Sequence, residues 1–414
     1  MAPSPLVPPF AAPHLARRFL PRPVFVVSGA RTPIGSYMGA FKNLSAPRLG
    51  AIAMGGALRR AGIEGGQIDQ VVVGQALPAG GGQAPQRQAA LGAGIPQSTD
   101  VYAVNKVCAS GMKALCLGAS EIALGVHDAV LAAGMESMSR VPYMLPKSTE
   151  GDLRVGHAEL KDGVLHDGLW DPYSAMHMGL CTEKVVSRMR ISRAEQDAYA
   201  VESYKRAAEA WKSGLIENEG IEPVTIDAGG KKGETRQITQ DEEFSRIKLD
   251  KVASLKPSFK KEGTITAANA SKISDGAVAA ILMSEEKIIN LDISPVARIL
   301  AFADAAVAPV DFALAPELAI RTALRRAQLD SADYYEINEA FAAVALANMR
   351  LLKLDPSRVN VHGGAVALGH PLGMSGLRIV LSLINVLHTR NAKYGCAAIC
   401  NGGGGATAVV VEIV

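Results

Sequence analysis

Five cysteines occur in the 414 residues, Cys108, Cys116, Cys181, Cys396 and Cys400, and two of them keep company that could make them chemical. The segment NKVCASGMKA at 105–114 places Cys108 just before a stretch that reads as helix, among small residues. A thiol at a helix N-terminus feels unpaired backbone N–H groups and the positive end of the dipole, and both favour thiolate. Ala109 and Gly111 leave room for close approach by a ligand. The segment NVHGGAVALGHPLGMSG at 360–376 is a glycine-studded loop entering a helix, with His370 between Gly369 and Pro371. An imidazole there can act as base toward a nearby thiol. The segment AAICNGGGGATA at 397–408 ends a buried strand in Cys400 and follows it with four glycines. Their bare N–H groups suit an oxyanion hole or a phosphate nest. The segment YEINEAFA at 335–342 ends a strand in Asn338 and Glu339. A strand-end Asn in an apolar run needs partners, so it either ties loops together or holds a water. Taken singly, each has a plainer use as a buried cysteine, a structural histidine or a loop tie.

What joins them is an internal repeat. Residues 57–75, ALRRAGIEGGQIDQVVVGQ, and 323–338, ALRRAQLDSADYYEIN, each read as the end of an amphipathic helix, a polar turn with one Asp and a strand. Aligning Asp69 with Asp333 gives an offset of 264. The same offset carries Cys108 to 372, beside His370. Helix-like SGMKALCLGASEIALG at 110–125 then matches SGLRIVLSLINVLH at 375–388. The strands VLAAGMES at 130–137 and SDGAVAAILM at 274–283 match CAAICNGG at 396–403 and GGATAVVVEI at 404–413. Two copies of a βαβα-type unit packed about a pseudo-two-fold axis would turn Cys108 and His370 toward each other.

The last two strands are nearly adjacent in the second copy and far apart in the first, so a segment near 146–265 is inserted there. It holds both tryptophans and a helix at 192–214 opened by a Ser192/Glu195 capping box and closed by Gly214. Its basic cluster, Arg246, Lys248, Lys251, Lys256, Lys260 and Lys261, reads as a solvated face or as a seat for phosphates. A net charge of +3 without a long basic block argues against nucleic acid as partner. No run of 18 apolar residues argues for a membrane span. An odd cysteine count without a CxxC pair argues against a disulfide framework or zinc knuckle. The glycine loops lack the Lys-Ser/Thr of a P-loop and the strand–GxGxxG–helix fingerprint. Residues 1–23 are Pro/Ala-rich, carry Arg17, Arg18 and Arg22, and precede the first acid, Glu64. That is the composition of a mitochondrial presequence, which its prolines fit less well; a plain tail is the alternative.

The ordered motifs NKVCASGMKA, GMESMS, NEAFA, GGAVALGHPLGMSG and CNGGGG resemble the thiolase superfamily, and within it the acetyl-CoA acetyltransferases, from about Val24 to Val414. The resemblance implies an α/β fold: two similar halves in a five-layered α-β-α-β-α core with an inserted loop domain. The implied division is 24–145 plus 266–290, the insertion 146–265, and 291–414. It implies a homotetramer built as a dimer of dimers, and coenzyme A thioesters as substrates with no prosthetic group. By position it makes Cys108 the acyl-accepting nucleophile, His370 its base and Cys400 the group that exchanges the α-proton of a second acyl-CoA. The N–H groups of Cys108 and Gly402 form one oxyanion hole. His370 and a water on Asn338 form the other. His177 and Met178, in HMG at 177–179, resemble the short-chain type, with Met178 capping the acyl pocket. Tyr173, Arg246, Ile247, Lys248, Lys251 and Ser271 match coenzyme A positions. Tyr173, Ala267, Ala268, Ala270 and Val366 match potassium-binding positions of the mitochondrial acetoacetyl-CoA type, which brings ketone-body and isoleucine breakdown with it. His362 stands where the family commonly has Asn, and no role is carried to it. The alternatives are a broad-range 3-ketoacyl-CoA thiolase, a decarboxylating ketoacyl synthase, for which Cys400 fits poorly, and a non-catalytic coenzyme A binder.

Overall fold

A computed structural model describes residues 19–145, 147, 157–228 and 233–414. Most of residues 1–23, and the boundary at 146, lie outside those residues. The first copy comprises β1 (Val24–Arg31), α1 (Ala46–Ala61), β2 (Gln70–Gly74), α2 (Pro85–Gly92), β3 (Asp100–Val104), α3 (Ser110–Ala123) and β4 (Ala129–Ser137). The insertion brings α4 (Met178–Met189) and α5 (Arg193–Lys212) before the copy closes on β5 (Ser274–Ser284). The second copy runs β6 (Ala297–Ala306), α6 (Ala315–Arg326), β7 (Tyr334–Ile337), α7 (Ala342–Leu352), α8 (Leu372–Thr389), β8 (Tyr394–Asn401) and β9 (Gly405–Glu412).

The strand order is β7-β8-β9-β6-β1-β5-β4-β2-β3. In the first half β2 is parallel to β3 and β4, and β5 runs antiparallel between β4 and β1. The second half repeats this pattern: β7 is parallel to β8, and β9 runs antiparallel between β8 and β6. The counterpart of β3 has shrunk to one parallel bridge, Tyr335 to Val359. The two halves meet where β1 and β6 pair over three residues, Val24 to Ile299 through Val26 to Ala297.

The aligned aspartates prove equivalent. Asp69 accepts from the N–H groups of Asp128 and Ala129 at 2.9 and 2.8 Å, and Asp333 accepts from those of Lys393 and Tyr394 at 3.0 and 2.8 Å. Each caps the entrance to the fourth strand of its copy.

Helices α3 and α8 form the middle layer, packed on each other and between the halves, while α1 and α2 cover one outer face and α6 the other. Glycine makes the central crossing possible: a Cβ on Gly111 would stand 2.5 Å from the carbonyl of Gly373. By length and apolar composition α8 could cross a membrane, yet 89% of it is buried inside the protein. It is apolar all round because it has sheet or helix on every side.

The last residues of the expected targeting segment dock on the fold: Leu20 is 7% exposed, Phe19 packs edge-on against Phe302 at 5.0 Å, and Arg22 pairs with Asp128 at 2.8 Å. The expected capping box at Ser192/Glu195 is present, and Gly214 takes φ +73° just past α5. Arg31, fully buried, anchors the insertion on β1 by bonding Glu219 at 2.8 Å and Asp241 at 2.8 and 3.0 Å.

Candidate active site

Cys108 and His370 each stand two residues before a middle-layer helix, α3 and α8 respectively. The repeat thus brings them to one place, and both line a cavity of about 450 Å³. Gly402, Ser271, His177, Met178 and Arg246 line it as well, with Phe259, Phe312 and Phe341 as its aromatic wall.

Cys108 sits on a strained elbow. The preceding Val107 has φ +48°, a region that a β-branched residue rarely enters. The elbow is held by a local set of bonds. Asn105 Oδ1 accepts from Val107 N–H at 2.9 Å, and Ser110 Oγ accepts from Lys106 N–H at 2.9 Å while donating to the Val107 carbonyl at 2.7 Å. Across the interface between halves, Lys106 Nζ bonds Thr407 Oγ1 at 2.7 Å, the Ala406 carbonyl at 3.1 Å and Asp304, which also takes Lys113 Nζ at 2.6 Å. Burial pushes the Cys108 thiol up to about 12, and the neighbouring backbone N–H of Gly402 opposes that shift. Gly402 is one of the two donors expected of the first oxyanion hole, and it lines the same cavity.

His370 is 5% exposed, and its Nδ1 lies 2.6 Å from Ser375 Oγ. Ser375 donates its hydroxyl hydrogen to the Pro371 carbonyl at 2.9 Å, so it can only accept from Nδ1–H. The neutral ring therefore keeps its lone pair on Nε2, which is buried without a partner. Burial, with help from the Arg378 guanidinium, lowers the imidazole to about 3. The resting pair is therefore neutral thiol and neutral imidazole.

Cys400, the penultimate residue of β8, is 1% exposed and packs in one apolar cluster with Met178, Phe312 and Phe341 of the cavity wall. Its thiol is pushed above the ordinary range by burial and by the neighbouring Cys108. Asn338 follows β7 directly; its side-chain oxygen and nitrogen are both buried without a protein partner. A buried amide in that condition calls for water.

His177 caps α4, accepting from Gly179 N–H on Nδ1 at 3.0 Å, and stacks on Phe259 at 4.7 Å. Gly179 is obligatory there, because a Cβ would lie 2.5 Å from the Phe259 ring. Met178, 7% exposed, opens the helix against the cavity. Arg246 reaches the mouth and bonds Ser36 Oγ at 2.8 Å, while Lys248 and Lys251 are exposed near it and Ile247 packs inward.

The five positions matched to potassium do not form a ready cage. The Tyr173 side chain is outward, at 79% exposure for the residue. Lys272 Nζ donates to the Ala270 carbonyl at 2.8 Å and to the Val366 carbonyl at 3.4 Å. Two of the five expected ligands therefore already face an ammonium.

Reading the motifs for nucleophiles overlooked several supports. Glu136, fully buried in GMESMS, accepts from Ala76, Leu77 and Gly373 N–H at 2.9, 3.1 and 2.9 Å. It pins the start of α8 below Cys108, and burial raises its carboxyl to about 7. A carboxylate near the end of a nine-residue strand that is otherwise almost wholly apolar is the available signal. Glu339 accepts from Tyr199 and Ser203 hydroxyls at 2.8 Å each and from Val366 N–H at 3.0 Å.

Two family models match, the thiolase N-terminal domain over residues 24–286 and the thiolase C-terminal domain over 293–413. "Acetyl-CoA acetyltransferase 1" of Arabidopsis thaliana is 50% identical over 395 residues, covering 95% of this chain and 94% of that protein. The mitochondrial acetyl-CoA acetyltransferase of Rattus norvegicus is 48% identical, with 96% and 94% covered. A cytosolic acetyl-CoA acetyltransferase of Gibberella zeae is 49% identical, with 94% and 98% covered. A thiolase of Ascaris suum solved with coenzyme A superimposes with a TM-score of 0.89 at 42% identity, over 95% of this chain and all of that one. Matched along nearly its whole length in both halves, the chain belongs to the thiolase family.

Proposed function

We propose that the protein is an acetyl-CoA C-acetyltransferase, condensing two acetyl-CoA to acetoacetyl-CoA plus coenzyme A and running the reverse thiolysis through an acetyl-Cys108 intermediate. The observation that carries this reading is the meeting of Cys108, His370 and the Gly402 N–H at one cavity, with Nε2 of the imidazole unprotonated. As Cys108 attacks the thioester carbonyl, its proton passes to His370 Nε2. The N–H groups of Cys108 and Gly402 take the oxyanion. The carbonyl re-forms, the coenzyme A sulfur leaves with the proton from His370, and an acetyl thioester remains on Cys108. Cys400 passes its thiol proton to His370 Nε2, and the thiolate so formed removes a methyl proton from a second acetyl-CoA. The enolate oxygen meets a water on the Asn338 amide and the His370 ring, whose Nε2 donates once it carries a proton. The carbanion attacks acetyl-Cys108, and the thiolate released takes the proton held by His370, which leaves both cysteines as thiols and the imidazole neutral. The acyl-enzyme splits a difficult condensation into two steps and gives ping-pong kinetics.

In the same reading Met178 and the three phenylalanines limit chain length. Arg246, Lys248 and Lys251 meet the coenzyme A phosphates, Ser271 the pantetheine, and Tyr173, His177 and Ile247 line its path. The chain divides into two thiolase halves and the loop domain 146–265. We keep the mitochondrial assignment on the basic, acid-free N-terminal segment; relatives with mitochondrial and cytosolic names are equally similar. We keep the homotetramer from the resemblance; the outer edge strand β3, part-exposed along its length, offers a surface for one of the two contacts a dimer of dimers needs. Light scattering of the purified protein tests it.

Thiolysis rates with acetoacetyl-CoA, 2-methylacetoacetyl-CoA and a long-chain 3-ketoacyl-CoA series test the function. Acetoacetyl-CoA should be cleaved far faster than 3-ketopalmitoyl-CoA; comparable rates would favour the broad-range degradative reading.

A further inference from the structure

We infer that Lys272 is a tethered monovalent cation: its ammonium organises the Ala270 and Val366 carbonyls in place of a bound potassium ion, so the enzyme works without one. The ammonium donates to Ala270 at 2.8 Å and to Val366 at 3.4 Å, and lies 5.7 Å from the centre of the Tyr204 ring, whose face favours a cation. Two elements of the site are joined by this contact. Ala270 precedes Ser271 in the cavity wall, and Val366 lies on the single helical turn Ala365–Leu368 that leads into His370. The main chain of Lys272 makes a second tie, its carbonyl accepting from His370 N–H at 2.9 Å. One residue thus sets the distance between the loop that faces the substrate and the loop that carries the base.

The surroundings suit a positive charge. Glu339 holds Val366 from the other side through its N–H at 3.0 Å, and the fields of Glu339 and Glu243 both favour the charged lysine. Burial lowers the lysine to about 8, so the ammonium remains the main form at neutral pH. A free potassium ion at the same carbonyls would meet like charge, with none of its hydration shell replaced by the outward Tyr173 side chain. An ammonium and a potassium ion are close in size and charge, and both accept carbonyl oxygens as partners. The tether removes the entropy cost of capturing an ion from solution.

The inference uses the thiolase reading for its activity arm only; its thermal arm stands alone. Wild type, Lys272→Ala and Lys272→Met are compared in potassium, sodium and tetramethylammonium chloride at equal ionic strength, by acetoacetyl-CoA thiolysis and by melting temperature. Wild type should show the same rate and the same Tm in all three salts. Lys272→Ala, which opens room for an ion, should lose about tenfold or more in kcat/KM in tetramethylammonium. Potassium should restore much of that loss and raise its Tm by several degrees. Lys272→Met, which fills the space without charge, should be impaired and unresponsive. Wild type that is activated or stabilised by potassium over both other salts would overturn the proposal. A Lys272→Ala variant that loses nothing, or that potassium neither stabilises nor restores, would do so as well. Should that variant fail to fold, the wild-type salt series still decides. Should wild type lack thiolysis altogether, the function is wrong while the Tm comparison still tests the lysine.

Discussion

At the scale of single residues, the charge states of Cys108 and His370 follow from burial, and they make a prediction about pH. Burial pushes the thiol up and the imidazole down, and both shifts disfavour a thiolate–imidazolium pair in the free enzyme. A depressed imidazole stays neutral down to acid pH, so its base form is present throughout the neutral range. The raised thiol yields thiolate only as pH rises. Alkylation of Cys108 by iodoacetamide should therefore climb about tenfold per pH unit from 6 to 9 without a plateau. A rate already flat across that range would mean that the ion pair exists at rest. Ser375 enters here as a positioning residue. Ser375→Ala should leave acetyl-CoA KM nearly unchanged, lower kcat by about tenfold and shift its acid limb, because the ring is then free to carry its proton on Nε2. Cys108, His370 and Cys400 stand out in the sequence as candidates because their residue types announce their chemistry. Ser375, Glu136 and Lys272 do not, because serine, glutamate and lysine are common and only three-dimensional contacts single these out.

At the scale of elements, the helices matter for where they begin. Each middle-layer helix presents its candidate catalytic residue two positions before its first turn, and glycine lets the two starts approach. The start of α4 works in the same way: His177 caps it, Met178 faces the cavity, and Gly179 lets Phe259 lie across it. Gly179→Ala should push Phe259 aside, since the new methyl would stand 2.5 Å from the ring. The expected result is a loss of selectivity for acetoacetyl-CoA over 3-ketohexanoyl-CoA together with a fall in Tm; unchanged selectivity would remove Phe259 from the pocket wall. Hydrophobic periodicity and the repeat disclosed the long strands and helices. They could not disclose the missing third strand of the second copy, which survives as the single bridge at Val359. Nor could they place the insertion's two-residue strands, which have no period to read.

At the scale of the whole molecule, stability and catalysis both depend on contacts between parts distant in sequence. Arg31 holds the insertion to the core through Glu219 and Asp241, and all three are buried. Arg31→Met should cost about 3–5 kcal/mol in a denaturant titration, because it leaves two carboxylates buried without their cation; a cost under 1 kcal/mol would show that the network is wet or slack. The duplication itself was legible, since Asp69 and Asp333 hold equivalent places in the two copies. The docking of Phe19 and Arg22 was not, because composition says nothing of their contacts with Phe302 and Asp128. The central claim is that the two halves supply separate jobs: Cys108 from the first carries the acetyl group, and Cys400 from the second moves the α-proton. A Cys400→Ser variant mixed with acetyl-CoA in deuterated water, read by intact-protein and substrate mass spectrometry, separates them. The hydroxyl is a far weaker acid than the thiol, so its basic form is scarce. The account predicts full acetylation of Cys108, with deuterium exchange into the acetyl-CoA methyl group and condensation both reduced by about 10²–10⁴-fold. Exchange at the wild-type rate, or an acetyl group found anywhere but on Cys108, would contradict it.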